Sequence, residues 1–437
     1  MKHLKKVLYE MRVFLLLWIT QSFSGLGSTM TSYALVIWSY QQHGKALVTA
    51  TLMVCSYTPY VLLSIFAGAL SDRWDKKKIM LICDTVAAMT TVAVLLLLSL
   101  GKLKIWHIYI VNFINGLMNT VQQPASDVTV TKILPKKYYQ KIGGLRYLST
   151  ALNSILTPII ATAILSFLGM EFIIGFDLFT FIVAFISLLM FIHIPKDHEM
   201  TTKKESVLVL AKDGLTYLHK NRGILDLILF LSAINLTASM YQAVFPAMVL
   251  SRNGGSEQAL GMANATVRIT TLLGSLLASF FKTPKSRVRV ICNCLLFSMS
   301  FENFFLTFSD DVIVWCVGAF LGWILIPLMS TNLEAILRLN IPVEMQGRVF
   351  SARNTLQFFT IPIGYFLGGV LVDGVFEPIM ERQNADSILT HLFGSGKGSG
   401  AAFLFFFLAI IGIITCLYFR RDPNLWRIEE NESDFRS

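Results

Sequence analysis

Stretches of about 20 uncharged, largely apolar residues recur along almost the whole chain, and no other feature limits its fold so strongly. As a helix, one such stretch crosses the roughly 30 Å hydrocarbon layer of a bilayer. None of them alternates between apolar and polar residues as a barrel strand does, so helices are the remaining way to satisfy the backbone in lipid. The chain is therefore predicted to be an all-α membrane protein.

Twelve transmembrane helices are expected, and a composition of 54% apolar and 15% charged residues supports a chain that lies mostly in the lipid bilayer. The basic and then apolar N-terminus lacks the small-residue cleavage site of a signal peptide, so it is interpreted as the first span. The predicted spans are 13–40, 47–70, 79–99, 105–128, 146–168, 172–194, 224–250, 258–281, 289–308, 312–336, 350–374 and 399–419.

The distribution of Lys and Arg predicts the orientation. Of the 37 basic residues, 30 lie in the two terminal segments and every second loop, counting Arg146, Arg289 and Arg353 at the starts of the spans that follow those loops. This inside-positive bias places both termini in the cytoplasm, as expected for an even number of spans. It also explains the net charge of +10 through attraction to an anionic inner leaflet, so no nucleic-acid partner is expected.

The two halves of the chain share a sequence pattern. The loops that follow the fourth and tenth spans carry Leu134-Pro and Ile341-Pro, and each is followed by a span with a central proline, Pro158 or Pro362. Two six-span halves are typical of secondary transporters, whose substrate site lies near the midplane where the repeats meet. The predicted domains are a six-helix bundle over 1–194, a cytoplasmic linker with an amphipathic helix over 195–223, a second bundle over 224–420 and a tail over 421–437.

The sequence contains no motif that indicates an enzyme or a bound cofactor. The six Cys have no ligand spacing and are interpreted as small core residues, and the seven His are scattered, so neither a metal nor another cofactor is expected. The chain contains no Walker sequence and no arrangement of nucleophile, acid and base. It is predicted not to be an enzyme.

The segment GALSDRWDKKK, residues 68–78, resembles the signature that the major facilitator superfamily carries between its second and third spans. Asp75 stands where the general pattern has Gly. This variant of the motif resembles that of the drug:proton antiporter group of bacterial macrolide efflux proteins. The same group is indicated by the segments 21–27, 177–181, 347–350, 368–378 and 394–400.

This resemblance implies a monomer of twelve helices in two pseudo-symmetric six-helix bundles, in a bacterial plasma membrane. It implies a secondary active transporter that exports a small, amphiphilic drug or macrolide-type molecule by alternating access, with the substrate and protons as its partners in antiport. The alternatives are export of one endogenous metabolite or siderophore, a lysophospholipid flippase, or a non-transporting sensor.

The chain departs from the family pattern at two places. Many proton-coupled relatives carry Arg-x-x-x-Gly in the fourth span, where this chain has Asn112-Phe-Ile-Asn-Gly116. The antiporter signature Gly-Pro-x-x-Gly-Gly of the fifth span is represented by Thr157-Pro-Ile-Ile-Ala-Thr162. The arginine that usually serves proton coupling is thus replaced, whereas the retained small residues still allow close helix packing.

A cytoplasmic gate is predicted at the charged turn. Gly68 lies at the end of the second span, Asp72 and Arg73 emerge just beyond it, and Arg348 lies next to the start of the eleventh. A carboxylate at Asp72 can therefore meet a helix terminus and a nearby arginine. An exposed pair of this kind contributes about 1 kcal/mol or less, which suits a contact that breaks on opening. The three lysines at 76–78 are interpreted as topological anchors.

The substrate cavity is predicted from amide side chains. Asn112, Asn115, Asn119 and Gln122 recur at three- or four-residue steps and so share one face of the fourth span. They line either a polar cavity or an interhelical hydrogen-bond ladder. Weaker candidates for the same cavity are Gln21, Tyr33, Asn235, Gln242, Asn354 and Gln357.

Charges inside predicted spans supply the candidates for proton coupling, because a charge there is costly without a partner. Arg268 is expected to pair with Glu302 or Glu334, either as a coupling device or as a fixed structural pair. Asp127 and Asp373 are further candidates. Asp84 and Asp177 lie within two turns of a predicted interface and are assigned a structural role.

Overall fold

The structure is a computed structural model that describes residues 2–133, 139–192, 207–252, 255–281, 284–384 and 386–434. Every regular element in these ranges is a helix, which confirms the predicted all-α fold. Each of the twelve predicted spans coincides with one described helix or with helices that follow each other directly in the sequence.

The chain divides into two compact units. The first unit comprises Met1–Ser39 and Cys55–Lys204, and the second comprises Tyr40–Val54 and Glu205–Ser437. The short segment 40–54, which joins the first two spans, therefore packs with the second unit. The predicted domain boundaries place it with the first bundle, and they remain a prediction.

The first unit is built from six helices, of which the first two contribute their adjoining ends to the second unit. They are α1 (Lys2–His43), α2 (Ala46–Arg73), α3 (Lys76–Ser99), α4 (Ile105–Ile133), α5 (Tyr139–Leu168) and α6 (Met170–Phe191).

The second unit contains the remaining helices and one short π-helical turn at Val372–Phe376. They are α7 (Val207–Lys220), α8 (Arg222–Ser251), α9 (Glu257–Phe280), α10 (Arg287–Thr307), α11 (Val312–Trp323), α12 (Ile326–Asn340), α13 (Val343–Phe358), α14 (Thr360–Leu371), α15 (Glu377–Glu381), α16 (Ile388–Phe393), α17 (Ser399–Arg420) and α18 (Pro423–Asp434).

Within the described residues, nine helical segments are long and apolar enough to cross a membrane. The other predicted spans lie on α4, α5 and α9, which have 29, 30 and 24 residues and so exceed the length that a crossing needs. α4 carries the row of amides, and α9 carries Arg268.

Two predicted spans are interrupted helices. The tenth consists of α11 and α12, and Pro327 stands in the first turn of α12, where a proline fits a helix start. The eleventh consists of α13 and α14, followed by the π-helical turn at Val372–Phe376. Breaks of this kind release backbone groups that neighbouring side chains must then satisfy.

Close backbone approach holds the first unit together at glycines. A Cβ on Gly27 of α1 would lie 2.9 Å from the Cα of Asp177 on α6, and a Cβ on Gly116 of α4 would collide with the carbonyl oxygen of Ser56 on α2. Without a hydrophobic driving force between helices in lipid, such small residues allow the contact on which packing depends.

The amphipathic linker helix α7 packs against α13 in the second unit. A Cβ on Gly214 would collide with the backbone carbonyl of Arg348, and Arg348 Nη1 lies 2.7 Å from Asp213 Oδ2. Tyr217 donates a hydrogen bond of 3.1 Å to the carbonyl oxygen of Asn340, and burial raises the pKa of this phenol. The helix is thus fixed to the protein through one face.

Only part of the predicted apolar stripe on α7 can be followed. Leu218 is buried and belongs to the core of the second unit, whereas Leu215 is exposed. The side chains of residues 207–211 lie outside the described residues. Leu215, one turn before the buried Leu218, is thus open to its surroundings, and contact of α7 with the membrane interface stays a prediction.

Candidate functional site

A polar cavity lies inside the first unit, between α1, α3, α4 and α6. It contains about 800 Å³ of empty space, counted with the part that is open to its surroundings. Its lining combines amides, hydroxyls, two carboxylates and apolar side chains. The lining residues are Ser24, Ser28, Thr31, Ser32, Leu35, Asp84, Ala87, Ala88, Thr91, Val94, Val111, Asn112, Asn115, Met118, Asn119, Gln122, Asp177, Leu178 and Phe181.

The amide row of α4 lies along this cavity, and all four of its members are lining residues. Asn112 donates to the carbonyl oxygen of Ile108 in the preceding turn, at 3.0 Å, and Asn115 accepts a hydrogen bond of 3.0 Å from Thr90 on α3. The row therefore forms some interhelical bonds while presenting further donors and acceptors to the cavity.

Asp84 on α3 is held by two amides from neighbouring helices. Gln122 on α4 donates to Asp84 Oδ1 at 2.6 Å, and Gln21 on α1 donates to Asp84 Oδ2 at 3.4 Å. Both partners are neutral, so each carboxylate oxygen is solvated without its charge being neutralised. Gln21, a weaker sequence candidate, reaches the cavity through this contact.

Asp177 on α6 is the second carboxylate of the cavity. It is 4% exposed, and its Oδ1 accepts a hydrogen bond of 2.9 Å from Ser28 on α1. Gly27 provides the room for this contact, since a Cβ there would lie 3.1 Å from the same oxygen. α1 and α6 thus approach closely at the position where the carboxylate enters the cavity.

The composition of the lining defines which chemistry the cavity can perform. Among the described residues that line it, two are acidic and none is Lys, Arg or His. Amides and hydroxyls donate and accept hydrogen bonds, whereas Met118, Leu178 and Phe181 offer apolar surface. A mixture of apolar walls and a few placed polar groups is typical of small-molecule sites.

The amides of the second unit are engaged mainly between helices. Asn235 on α8 donates to the backbone carbonyl of Gln357 at 3.0 Å, and the Gln357 side chain accepts from Arg353 at 2.9 Å. Gln242 accepts a hydrogen bond of 3.3 Å from Tyr365, and Asn354 is exposed on α13. Asn235 and Gln357 therefore take part in interhelical hydrogen bonds, the second of the two roles expected for the amides.

Tyr33 on α1 is half-buried and packs beside the apolar cluster that α1 forms with α5 and α6, at Met30, Ala161 and Ile173. It is not among the residues that line the polar cavity. Its ring therefore contributes to packing within the first unit.

Both carboxylates expected to pair with Arg268 have other partners. Glu302 is 3% exposed and accepts a hydrogen bond of 2.7 Å from Trp323, and Glu334 lies 2.9 Å from Arg353. Arg268 is exposed on α9. In the described part of the chain, Arg353 on α13 satisfies Glu334 and an indole satisfies Glu302, and the pairing of Arg268 with either carboxylate stays a prediction.

The remaining proton-coupling candidates differ in how far they can be described. The side chain of Asp127 lies outside the described residues. Asp373, in the π-helical turn, accepts hydrogen bonds from the backbone amides of Ala46 and Leu47. Both of its oxygens are thus occupied by the start of α2.

The predicted cytoplasmic gate is described only at Arg348, whose partner is Asp213 on α7. The surroundings of Gly68 and the side chains of Asp72 and Arg73 lie outside the described part of the chain, so the gate stays a prediction. Asp75 is the N-cap of α3 and accepts from the amides of Lys77 and Lys78 at 2.9 and 3.2 Å. Its place in the motif is therefore that of a helix cap.

Lys77, which the sequence predicts to be a topological anchor, also forms hydrogen bonds to another helix. Its ammonium group donates to the carbonyl oxygens of Leu189 and Ile192 at the end of α6, at 2.9 and 2.8 Å. A cation at a helix C-terminus satisfies carbonyls that have no intrahelical partner and interacts favourably with the helix dipole. Lys77 therefore joins α3 to α6.

Sequence reasoning missed Asp84, Asp177 and Ser28 as cavity residues. Two aspartates inside uncharged spans are costly unless they face a polar interior, and that cost was the available signal. Their nearness to predicted interfaces outweighed it in the interpretation. The structure places both carboxylates in the same cavity as the amide row.

Comparisons with known proteins agree on one family. The family profile described as Major Facilitator Superfamily matches residues 17–365. Macrolide efflux protein A of Streptococcus pyogenes is 22% identical over 364 residues, which cover 83% of this chain and 90% of the relative. Macrolide efflux protein A of Enterococcus faecalis is 23% identical over 323 residues, which cover 74% of this chain and 99% of the relative.

Solved transporter structures share the fold. A bacterial homolog of the human lysosomal transporter Spinster, in an inward-facing and unoccupied conformation, superposes with a TM-score of 0.67 at 12% identity and covers 96% of this chain and 98% of its own. The nucleoside transporter NupG gives a TM-score of 0.65 at 11% identity, and the match covers 93% of this chain and 98% of the transporter.

Proposed function

Because this chain belongs to the Major Facilitator Superfamily and is therefore a multi-pass membrane transporter, not an enzyme, we propose that it exports small amphiphilic compounds by proton-coupled antiport. Macrolides are the first compounds to test, since the relatives from Streptococcus pyogenes and Enterococcus faecalis are named for macrolide efflux. We place the transporter in a bacterial plasma membrane with both termini in the cytoplasm, in keeping with the inside-positive bias.

The observation that carries this proposal is the cavity of the first unit. Its amide row at Asn112, Asn115, Asn119 and Gln122 supplies hydrogen-bond donors and acceptors along one wall. An amphiphilic molecule needs such groups for its polar part and apolar surface for the remainder. Met118 is suited to variable ligands because an unbranched thioether repacks easily.

Proton coupling is assigned to Asp84, with Asp177 as the second carboxyl of the same cavity. The described partners of Asp84 are neutral amides, so no fixed cation competes for this carboxylate. Such a carboxyl can bind a proton or a polar group of the substrate. Antiport requires at least that the proton and the substrate exclude each other from this carboxyl.

The contacts of the earlier candidates favour this assignment. Glu334 is paired with Arg353, and Asp373 is occupied by two backbone amides. Glu302 is enclosed by Trp323 and by Gly322, where a Cβ would lie 2.6 Å from the Glu302 Cβ. Asp84 and Asp177 are the described acidic residues that line the polar cavity itself.

An accumulation assay tests the function. The full chain is expressed in an efflux-deficient bacterium, and uptake of a macrolide and of a panel of amphiphilic drugs is measured with and without a protonophore. Several-fold lower accumulation of at least one compound, abolished by the protonophore, is expected. Unchanged accumulation of every compound overturns amphiphile export, and export that resists the protonophore overturns proton coupling.

A further inference from the structure

The first turn of α2 is capped by a carboxylate that lies more than 300 residues away in the chain. Asp373 Oδ1 accepts a hydrogen bond of 3.1 Å from the amide of Ala46, and Asp373 Oδ2 accepts one of 2.7 Å from the amide of Leu47. Each oxygen of the carboxylate therefore satisfies one backbone donor.

This long-range cap replaces a local one. The first amides of a helix have no intrahelical acceptor, and a short polar side chain just before the helix usually supplies one. α2 is preceded by Gly44 and Lys45, neither of which has a side-chain acceptor. Asp373 supplies both the acceptors and the negative charge that the positive end of a helix dipole favours.

Steric fit at Gly369 brings the cap into position. A Cβ on Gly369 of α14 would lie 2.7 Å from the Cα of Leu47 and 2.8 Å from the Cβ of Ala50. Any larger residue would therefore push the start of α2 away from α14. Glycine is required here by close approach of two backbones, one turn before Asp373.

Three further contacts hold the same segment in the second unit. Gln41 donates to Glu257 at 2.6 Å, and Thr49 donates to the carbonyl of Ala243 at 3.3 Å. Lys397 lies over the ring of Tyr40, 5.9 Å from its centroid. The segment 40–54 is thus fixed to the second unit by hydrogen bonds, a cation–π contact and close steric fit together.

We propose that Asp373 is a positioning residue of the transport cycle, which holds the start of α2 on the second unit in one conformation and releases it in another. The reason lies in the path of α2, which begins in the second unit and continues from Cys55 into the first. A movement that carries α2 with the first unit must break the Asp373 cap. This inference rests on the proposed alternating-access transport.

The role differs from proton carrying. A protonated carboxyl has only weak acceptor capacity at its hydroxyl oxygen, so it cannot serve two amide donors as a carboxylate does. The two hydrogen bonds to backbone amides therefore describe a capping role for Asp373. The cap stabilises one position of α2, and its loss shifts the population toward the other.

Crosslinking measures the position of the segment without any substrate. The six native cysteines, at 55, 83, 292, 294, 316 and 416, are replaced by serine or alanine, and Gln41→Cys with Glu257→Cys provides one reactive pair. A short bis-methanethiosulfonate reagent then reports how often these positions meet in the full-length protein in membranes. The readout is the rate of crosslinking.

Asp373→Asn is expected to lower this rate about fivefold, the effect of losing one helix cap. Asparagine keeps the shape, but it offers one acceptor oxygen and turns an N–H₂ donor toward the other backbone amide. Asp386→Asn, at an exposed aspartate in the same unit, is the matched control and should leave the rate unchanged. Asp373→Glu should restore part of it.

A glycine pair provides the second test if Asp373→Asn fails to fold. Gly369→Ala should lower the rate several-fold by displacing Leu47, whereas Gly374→Ala, where a Cβ meets nothing within 4 Å, should not. Rates equal to the parent for both Asp373→Asn and Gly369→Ala overturn the proposal. Because crosslinking needs no substrate, it fails independently of amphiphile export.

Discussion

Gln122 on α4 lies 2.6 Å from Asp84 on α3, and this hydrogen bond joins the amide row to a carboxylate inside the same cavity. The donor belongs to the predicted substrate face, and the acceptor is the proposed proton site. A substrate that binds Gln122 in place of Asp84 would alter the environment of the carboxyl directly. The bond therefore connects the two functions that an antiporter must couple.

Gln122→Ala should lower the kcat/KM of drug export about tenfold, because it removes one lining donor and leaves Asp84 with a single amide partner. Gln123→Ala, one residue along at an exposed position outside the lining, is the matched control and should stay within about twofold of the parent. Initial rates of efflux from preloaded cells measure both. Equal rates for the two variants would contradict the assignment of the cavity.

Asp84→Asn should abolish uphill, protonophore-sensitive export while substrate exchange across the membrane continues. The amide keeps the hydrogen-bonding size of the side chain but cannot take up a proton at neutral pH. Proteoliposomes with an imposed pH gradient measure the first activity, and counterflow without a gradient measures the second. Intact uphill transport by Asp84→Asn would remove this residue from proton coupling.

Gly116→Ala should destabilise the first unit by about 1 to 3 kcal/mol, because the added methyl collides with the Ser56 carbonyl oxygen of α2. Gly175→Ala on α6 is the matched control, since a Cβ there meets nothing within 4 Å. Thermal unfolding in detergent, followed by a thiol-reactive dye, compares the two. A midpoint for Gly116→Ala that equals that of Gly175→Ala would show that α4 can move away from α2 without cost.

The attachment of α7 should depend more on Gly214 than on its ion pair. Asp213 and Arg348 are 41% and 32% exposed, and such a pair contributes about 1 kcal/mol or less. Gly214→Ala places a methyl against the Arg348 carbonyl and should loosen the whole helix. Hydrogen–deuterium exchange of residues 212–220 should therefore rise more for Gly214→Ala than for Asp213→Asn. The reverse order would make the ion pair the main attachment.

Lys77→Met should lower the thermal stability of the first unit by about 1 kcal/mol or more, because two carbonyls at the end of α6 lose their donor. Lys78→Met removes the same charge from an exposed neighbour and is the matched control. Detergent unfolding curves of both variants provide the comparison. If both variants unfold together with the parent, the cap contributes nothing measurable.

Much of this architecture could be predicted because spans and amide periodicity are local properties of the sequence. The four amides of α4 recur with the helical period, and the structure brings all four to one cavity. The breaks within the tenth and eleventh spans were less visible, because an apolar stretch looks the same whether it contains one helix or two. Pro327 at the start of α12 marks the first of them.

The partners of charged side chains could not be predicted, since they depend on how helices cross. Asp84 and Gln122 are 38 positions apart, and Asp373 and Ala46 are 327 apart. No periodicity links residues at such separations. Glu334 illustrates the same limit, because its described partner is Arg353 on α13, which the sequence did not indicate.

We expect the ammonium group of Lys77 to act at two stages, first during membrane insertion and then in the folded protein. While the helices are being inserted, its charge would add to the inside-positive bias by which this loop is predicted to stay on the cytoplasmic side. Once α3 and α6 meet, the same group binds the carbonyls of Leu189 and Ile192. A membrane poor in anionic lipid would weaken the first role and leave the second intact, so errors of biogenesis and losses of folded stability at this residue would respond to different lipids.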